Sequence, residues 1–314
     1  MYIFQSEYSY CDYMCKNFKN KNDVILINPN KFSISKILQY LSSIEKKIFK
    51  IDIISKIWYK SLIKLRDNNS YKKFCFFDSC FLINNQNFLK WLRDNYKNCI
   101  IVLIIVNHIG NNYKLLNYYK NTCDYIFSFD IYDCESHGFI YFDNVAPKFD
   151  SNSFKHLKIN KYDIGFIGRD KGRYDELKKL YIKLKGQGKS CYFYIYSDII
   201  PKDSIDKEIL HNKYLSFKKV INLEYQCKCL LDYNYVEYGE QGYSLRILDA
   251  LNMGKYIITN NSFIKEFKGY NEKYIKIICN LNDISLDFIG NDQIKYDFLN
   301  LFSGEELIKK IDKL

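Results

Sequence analysis

The chain predicts an α/β protein made of two Rossmann-like domains in tandem, each a parallel sheet covered by helices. Three observations carry this reading. Short apolar runs rich in β-branched and aromatic residues alternate with stretches of helical period. The alternation lapses once, near the middle, and then restarts. A length of 314 residues accommodates two domains of ordinary size, and a hydrophobic share of 47% supplies a core for each.

In the first half the candidate strands are Tyr2–Gln5, Val24–Ile27, Phe74–Phe77, Ile100–Val106 and Tyr125–Phe129. Helical segments lie between them. One places Ile34, Ile37, Leu38, Leu41 and Ile44 on a single face, and another places Phe88, Trp91 and Leu92 together. A third, around Ile51–Leu65, carries Ile54, Ile57, Trp58 and Leu62 and reads as a core-facing helix, although a basic amphipathic helix also suits a membrane surface. This domain is assigned residues 1–150. Ala146-Pro147 and the polar run SNSFKHLKINK mark a connection over about 146–161.

The second domain is assigned residues 160–314. It opens with strand Asp163–Ile167 and a helix from about Gly172 to Lys185, with Tyr174, Leu177, Leu180, Tyr181 and Leu184 inward. Strands Cys191–Tyr196, Cys229–Leu231 and Tyr256–Thr259 follow. A helix through Ile247, Leu248 and Leu251 is expected to end at Gly254, and Glu305–Leu314 to form a terminal helix.

Composition narrows the partners. A formal charge of +11 favours anionic ones, but the lysines are scattered and form no long basic block. A solvated lysine-rich surface is therefore expected, with room for peripheral contact with an anionic membrane and no nucleic-acid partner. The bias to Lys, Asn, Ile, Tyr and Phe, with 3 prolines, looks like an A/T-rich coding background, so an exposed Tyr or Asn carries little weight. Eleven cysteines include no paired C-x-x-C, only spacings such as Cys11/Cys15, Cys75/Cys80 and Cys227/Cys229, and no metal is expected. Several, such as Cys75 and Cys191, sit in apolar stretches as small hydrophobes. The start MYIFQSEYSY lacks the pattern of a secretory signal, and the longest apolar run, Ile100–Val106, is far short of the roughly twenty residues that span a bilayer. The expected location is cytoplasmic.

Only five of the 47 basic residues are arginines, and three of them fall in two glycine-bearing segments. Arg169 and Arg173 stand in Gly168-Arg169-Asp170-Lys171-Gly172-Arg173, and Arg246 in Gln241-Gly242-Tyr243-Ser244-Leu245-Arg246; Arg66 and Arg93 lie elsewhere. Arginine offers a planar fork of donors that grips phosphate or carboxylate in two places. Both segments follow strands and open helices, where ligands of open parallel sheets bind. An arginine in the first turn of a helix opposes the helix dipole, which fits an anion or a carboxylate beside Arg246. Structural ion pairing is the other reading of the cluster.

Asp163-Ile164-Gly165-Phe166-Ile167-Gly168-Arg169-Asp170-Lys171-Gly172-Arg173-Tyr174 resembles the segment that opens the C-terminal domain of a group of bacterial glycosyltransferases with the GT-B fold, active in lipopolysaccharide, capsule and related glycan assembly. Leu231-Asp232, Gln241 through Leu251, Gly254-Lys255 and Ile258-Thr259-Asn260-Asn261 are similar to the group's second signature, and Phe127-Ser128-Phe129-Asp130 with Asp133 to the strand end that closes its N-terminal domain. The resemblance implies two Rossmann-like domains whose sheets face a central cleft, the N-terminal one for the acceptor and the C-terminal one for the donor. It implies a hexosyltransferase-like enzyme that moves a sugar from a nucleotide-sugar donor to a hydroxyl of a growing glycan or lipid-linked saccharide. No cofactor and no metal are implied; the nucleotide sugar is a co-substrate.

Carried onto this chain, the resemblance makes Gly168, Arg169, Lys171, Gln241, Gly242, Ser244, Arg246 and Asp249 the donor site, with cationic side chains neutralising the departing diphosphate. Arg173, near Asp170 and Glu176, is read as a brace for its loop. Two departures stand out. Tyr243 replaces the usual leucine, and Asp249 replaces a glutamate that commonly holds the donor ribose; pairing with Arg246 three residues earlier is its other reading. An inverting mechanism needs a base. Asp78, at the end of Phe74–Phe77, and His108, after Ile100–Val106, are the candidates, with Asp12 a weaker one. Each also has a plain reading, Asp78 as a helix cap and His108 as a hydrogen-bonded loop residue. A GT-B-like module that binds a nucleotide or glycan without transferring it is the alternative function.

Overall fold

The computed structural model describes residues 2–5, 24–27, 33–48, 53–63, 72–78, 82, 85, 87–109, 114–146, 149–234 and 242–314. Asp12 and Gln241 lie outside the described residues, as do Cys11, Cys15, Cys80 and Arg66. The chain forms two compact units, Met1–Phe129 with Asp133–Phe142, and Asp130–Tyr132 with Asp143–Leu314. Among the described residues each contains one six-stranded sheet, and every strand pairing in both sheets is parallel.

In the N-terminal unit the strands are β1 (Tyr2–Gln5), β2 (Val24–Ile27), β3 (Lys72–Phe77), β4 (Cys99–Ile105), β5 (Tyr125–Ser128) and β6 (Ile140–Tyr141). The helices are α1 (Ser33–Ile48), α2 (Ile53–Leu62), α3 (Asn87–Asn95), α4 (Leu116–Thr122) and α5 (Ile131–His137). The sheet order β2-β1-β3-β4-β5-β6 reverses direction between β1 and β3, the switch point of a flavodoxin-like sheet. The unbroken apolar sequence of β4, CIIVLII, belongs to a strand covered on both faces, and it lies inside the sheet between β3 and β5. Aromatic side chains fill the core beneath it: Phe88 meets Tyr59 at 5.0 Å and Phe76 at 5.5 Å between ring centres, both edge to face.

The shared apolar face of α1 is divided: Leu38 packs against the core, but Ile37 and Leu41 are exposed. The helix fully buries Ser42 and Glu45. Helix α2 behaves as expected at Trp58 and Leu62, which are buried, but not at Ile57, which is exposed.

In the C-terminal unit the strands are β7 (Tyr162–Arg169), β8 (Cys191–Tyr196), β9 (Leu210–His211), β10 (Cys227–Asp232), β11 (Tyr256–Thr259) and β12 (Ile275–Ile277). The helices are α6 (Tyr174–Gly186), α7 (Ser204–Ile209), α8 (Phe217–Tyr225), α9 (Leu245–Asn252) and α10 (Gly304–Asp312). The order β12-β11-β10-β7-β8-β9 is the dinucleotide-binding order, with its switch point between β7 and β10. Leu177, Leu180, Tyr181 and Leu184 are the buried face of α6, as their spacing predicts. Gly254 ends α9 with φ of 62°, and Lys255 N then donates back to Ala250 O at 2.9 Å, a glycine stop of the expected kind.

The segment read as a connection packs on this unit. Ala146 N donates to Phe302 O at 3.0 Å, and Phe149, Phe154 and Tyr225 form an aromatic trio with ring centres 4.9–5.6 Å apart. Most of the described cysteines are buried, and burial pushes the Cys191 and Cys227 thiols up to about 12, so they act as apolar filler. Among the described residues no helix is long and apolar enough to cross a membrane.

Candidate functional site

The site is built where β7 and β10 end side by side. Asp232, the last residue of β10, is 1% exposed and serves as a hub. Its Oδ1 accepts hydrogen bonds from Ser244 Oγ at 2.8 Å and Arg246 Nη1 at 3.0 Å, and its Oδ2 accepts one from Thr259 Oγ1 at 3.0 Å. One carboxylate thereby ties the ends of β10 and β11 to the start of α9. Ser244 is also the N-cap of α9, its Oγ accepting from Ile247 N at 3.2 Å.

Arg246 is turned inward. Its Nη2 donates to Ile167 O of β7 at 2.7 Å, its guanidinium lies 4.9 Å from the centre of the Phe166 ring, and its side chain is 15% exposed. The carboxylate that offsets an arginine in a first helical turn is therefore Asp232. Gly168 makes room for this arrangement, because a Cβ there would stand 2.8 Å from Arg246 Nη2.

Arg173 is a second bridge. Its Nη1 donates to Tyr233 O, its Nη2 to Arg169 O at 2.7 Å and its Nε to Asp170 O at 3.0 Å, while the guanidinium lies 5.3 Å from the centre of the Phe166 ring. At 5% exposure it braces the β7–α6 loop, as read from the sequence. Asp170 completes the loop: Oδ1 accepts from Tyr174 N at 2.8 Å and Oδ2 from Ser197 Oγ at 3.1 Å. Lys171 and Gly172 turn the chain through left-handed conformations, with φ of 49° and 79°.

Arg169 differs from both. It is exposed at the last position of β7, its guanidinium 5.6 Å from the centre of the Tyr196 ring and 5.8 Å from that of Tyr214. Those two rings stack at 3.7 Å. Lys171, one turn of loop further on, is also exposed. The carboxyl end of the sheet thus presents two cations to solvent at its switch point, above two arginines that hold the strand ends together.

The backbone of the second segment is fixed by amides. Asn261 Nδ2 donates to Gly242 O at 2.7 Å and Asn144 Nδ2 to Tyr243 O at 3.1 Å. Tyr243, where leucine was the usual residue, is buried against Phe263 and Phe302, each 5.2 Å between ring centres. Asp249 does not pair with Arg246 in the way its spacing allowed. It is 2% exposed beside Glu224 of α8, with which it shares a hydrogen bond. Burial first, and the Asp249 charge second, push the Glu224 carboxyl well above its usual range. Its Oε2 has no hydrogen-bond partner among the described residues.

In the N-terminal unit Asp78 immediately follows β3, at the switch point of that sheet, and is half-buried. Tyr119 OH donates to its Oδ1 at 3.0 Å, and Asp78 N donates to Ile104 O at 3.0 Å. His108 follows the neighbouring strand β4. Its Nδ1 lies 3.2 Å from Asp133 Oδ1, whose other oxygen accepts from Ile109 N at 3.0 Å. Asp133 sits in the first turn of α5 and is fully buried, so a buried carboxylate stands beside the imidazole.

Sequence reasoning singled out neither Asp232 nor the Tyr196–Tyr214 pair as site residues. Asp232 had a legible signal, a lone acid closing the apolar run of β10. The tyrosines had none, because aromatic residues are abundant throughout the chain.

No protein-family model and no curated protein matches the chain. Solved structures do. An "alpha-glucosyltransferase in complex with UDP-glucose and DNA containing an abasic site" is similar over 100% of this chain and 89% of its own, with a TM-score of 0.53 and 16% identity. MurG of Acinetobacter baumannii is similar over 100% of this chain and 99% of its own, with a TM-score of 0.43 and 7% identity. The first likeness establishes the fold as GT-B, two Rossmann-like α/β domains, and at that identity it speaks to fold alone.

Proposed function

We propose that the chain is a glycosyltransferase that moves a sugar from a nucleotide-sugar donor to an acceptor hydroxyl. The C-terminal unit, residues 160–314 in the sequence assignment, holds the donor, and the N-terminal unit, residues 1–150, receives the acceptor. The observation that carries this reading is the exposed pair Arg169 and Lys171 at the β7–β10 switch point. There an anionic diphosphate meets two cations at the carboxyl edge of a dinucleotide-type sheet. The fold likeness to a glucosyltransferase solved with UDP-glucose supports it.

Within this reading Arg169 and Lys171 contact the diphosphate and stabilise the charge that grows as the glycosidic bond breaks. Gly168, Gly242, Ser244 and Arg246 shape the site: Arg246 acts through Asp232 and the β7 backbone, and Ser244 through the start of α9. Asp249, buried beside Glu224, supports α9 from behind. The acceptor proton passes to Asp78 or to His108, where the nearby Asp133 carboxylate favours the imidazolium that results. The acceptor is a glycan or a lipid-linked saccharide of the kind found in polysaccharide assembly, and no resident metal takes part.

Incubation with a panel of nucleotide sugars tests the proposal. Release of the nucleoside diphosphate from at least one donor, undiminished by EDTA, is expected; binding with no release would make the chain a non-catalytic module. Labelled sugar is expected to enter saccharide acceptors and not DNA.

A further inference from the structure

The first helix pair of the N-terminal unit exposes a set of large apolar side chains. At about 100° per residue, Ile37, Leu41, Ile44 and Ile48 of α1 fall within roughly 60° of arc. Ile37 is 59%, Leu41 40% and Ile48 65% exposed, and Tyr40 flanks them at 67%. Among the described side chains of the same helix Leu38 packs against the core, and the fully buried ones are polar. Ser42 Oγ bonds Ser55 Oγ of α2, and the Glu45 carboxylate accepts from Ile53 N at 3.0 Å and Ile54 N at 2.9 Å, capping the start of α2. An ordinary surface helix has the opposite arrangement.

Helix α2, packed against α1, also exposes large apolar residues. Ile53 and Ile57, one turn apart, are 60% and 56% exposed, while Trp58, Tyr59 and Leu62 on its other side enter the core. Lys47, Lys56 and Lys60 are exposed beside these isoleucines. The two helices together carry five lysines, and their single acid, Glu45, is buried under the pair.

Five large aliphatic side chains and a tyrosine exposed on two packed helices are more than scattered surface apolarity. The face needs a partner that is apolar within and negative at its edge. A bilayer surface with anionic headgroups has that layering: isoleucines enter the acyl boundary, the tyrosine sits at headgroup level, and lysines reach the phosphates along their own apolar stems. We infer that α1 and α2 dock the protein on an anionic membrane surface through Ile37, Leu41, Ile48, Ile53 and Ile57, with Lys56 and Lys60 supplying the charge selectivity. This docking stands apart from the transfer reaction and is read without it.

Flotation of the full chain with lipid vesicles tests the inference. The protein is expected to float with vesicles of phosphatidylcholine and phosphatidylglycerol, to remain below with phosphatidylcholine alone, and to be released by high salt. Lys56→Gln with Lys60→Gln is expected to weaken anionic binding about 25-fold, from about 1 kcal/mol per lysine at the surface. Ile53→Ser with Ile57→Ser is expected to weaken it at least about tenfold. All four side chains are exposed, so both double variants should keep the wild-type thermal transition. Failure to float with either vesicle would overturn the docking, as would equal binding to both that ignores the lysines. A concentration-dependent dimer in vesicle-free solution that the serine variant abolishes would overturn it too, by assigning the face to a second copy.

Discussion

Gly168–Arg173 and Gly242–Arg246 both place arginine beside glycine at a strand-to-helix turn, yet the fold uses them differently. In the first segment Arg173 is drawn inward onto backbone carbonyls while Arg169 and Lys171 stay exposed. In the second, Arg246 closes on Asp232 and the β7 backbone. The difference follows from reach. A carboxylate ends the strand facing Arg246, and a free carbonyl of Tyr233 faces Arg173. Arg169 at the tip of β7 meets aromatic faces instead, which leave its donors available to an anion. A glycine–arginine segment at a sheet's carboxyl edge therefore marks either a ligand contact or a bridge, and the neighbouring strand end decides which.

Removing the hub should have the largest effect. Asp232→Ala strands Arg246, Ser244 and Thr259 at once and is expected to cost about 3–5 kcal/mol of stability, measured by urea unfolding. A loss below about 1 kcal/mol would show that Arg246 is not held as a bridge. Arg169→Ala should do the reverse: nucleoside diphosphate release falls about a hundredfold or more while the unfolding midpoint stays where it was. Gly168→Ala sharpens the contrast, since its methyl group meets the guanidinium of Arg246. A loss of about 1–3 kcal/mol is expected unless Arg246 swings away.

The finest effect is in pH. Glu224, behind Arg246, keeps a proton in the folded chain that the unfolded chain releases above its ordinary value of 4.5. Stability is therefore full below that value and declines as pH rises toward the raised folded value, by at most about 1.4 kcal/mol for each pH unit. Glu224→Gln, neutral at every pH, should flatten that slope in thermal scans across the range. An unchanged slope would mean that the Glu224–Asp249 pair is not what the chain titrates.

The strand-helix rhythm was legible because each long strand is a short apolar run between polar turns. Strands β6, β9 and β12 were not, since two or three residues carry no period. Periodicity also told which residues of α1 share a face but not where the face looks. The polar residues Ser42 and Glu45 find partners on α2, and that pairing turns Ile37 and Leu41 outward. At the site, the glycines and arginines were legible by residue type, while their division into contact and bridge was not. That division depends on Asp232 and Tyr233, which lie far from Arg173 and Arg169 along the chain. The Asp249–Arg246 pairing failed for a related reason: a spacing of three allows contact, but Asp232 takes the guanidinium from the neighbouring strand.

The central claim is that Arg169 meets the diphosphate of a nucleotide sugar. Side-by-side titration calorimetry of the nucleotide sugar that the donor panel singles out, into the wild-type chain and into Arg169→Ala, both checked for an unchanged unfolding transition, tests it most directly. Binding by the wild type that weakens about tenfold or more in the variant is the predicted result. Equal binding by the two folded proteins would contradict it.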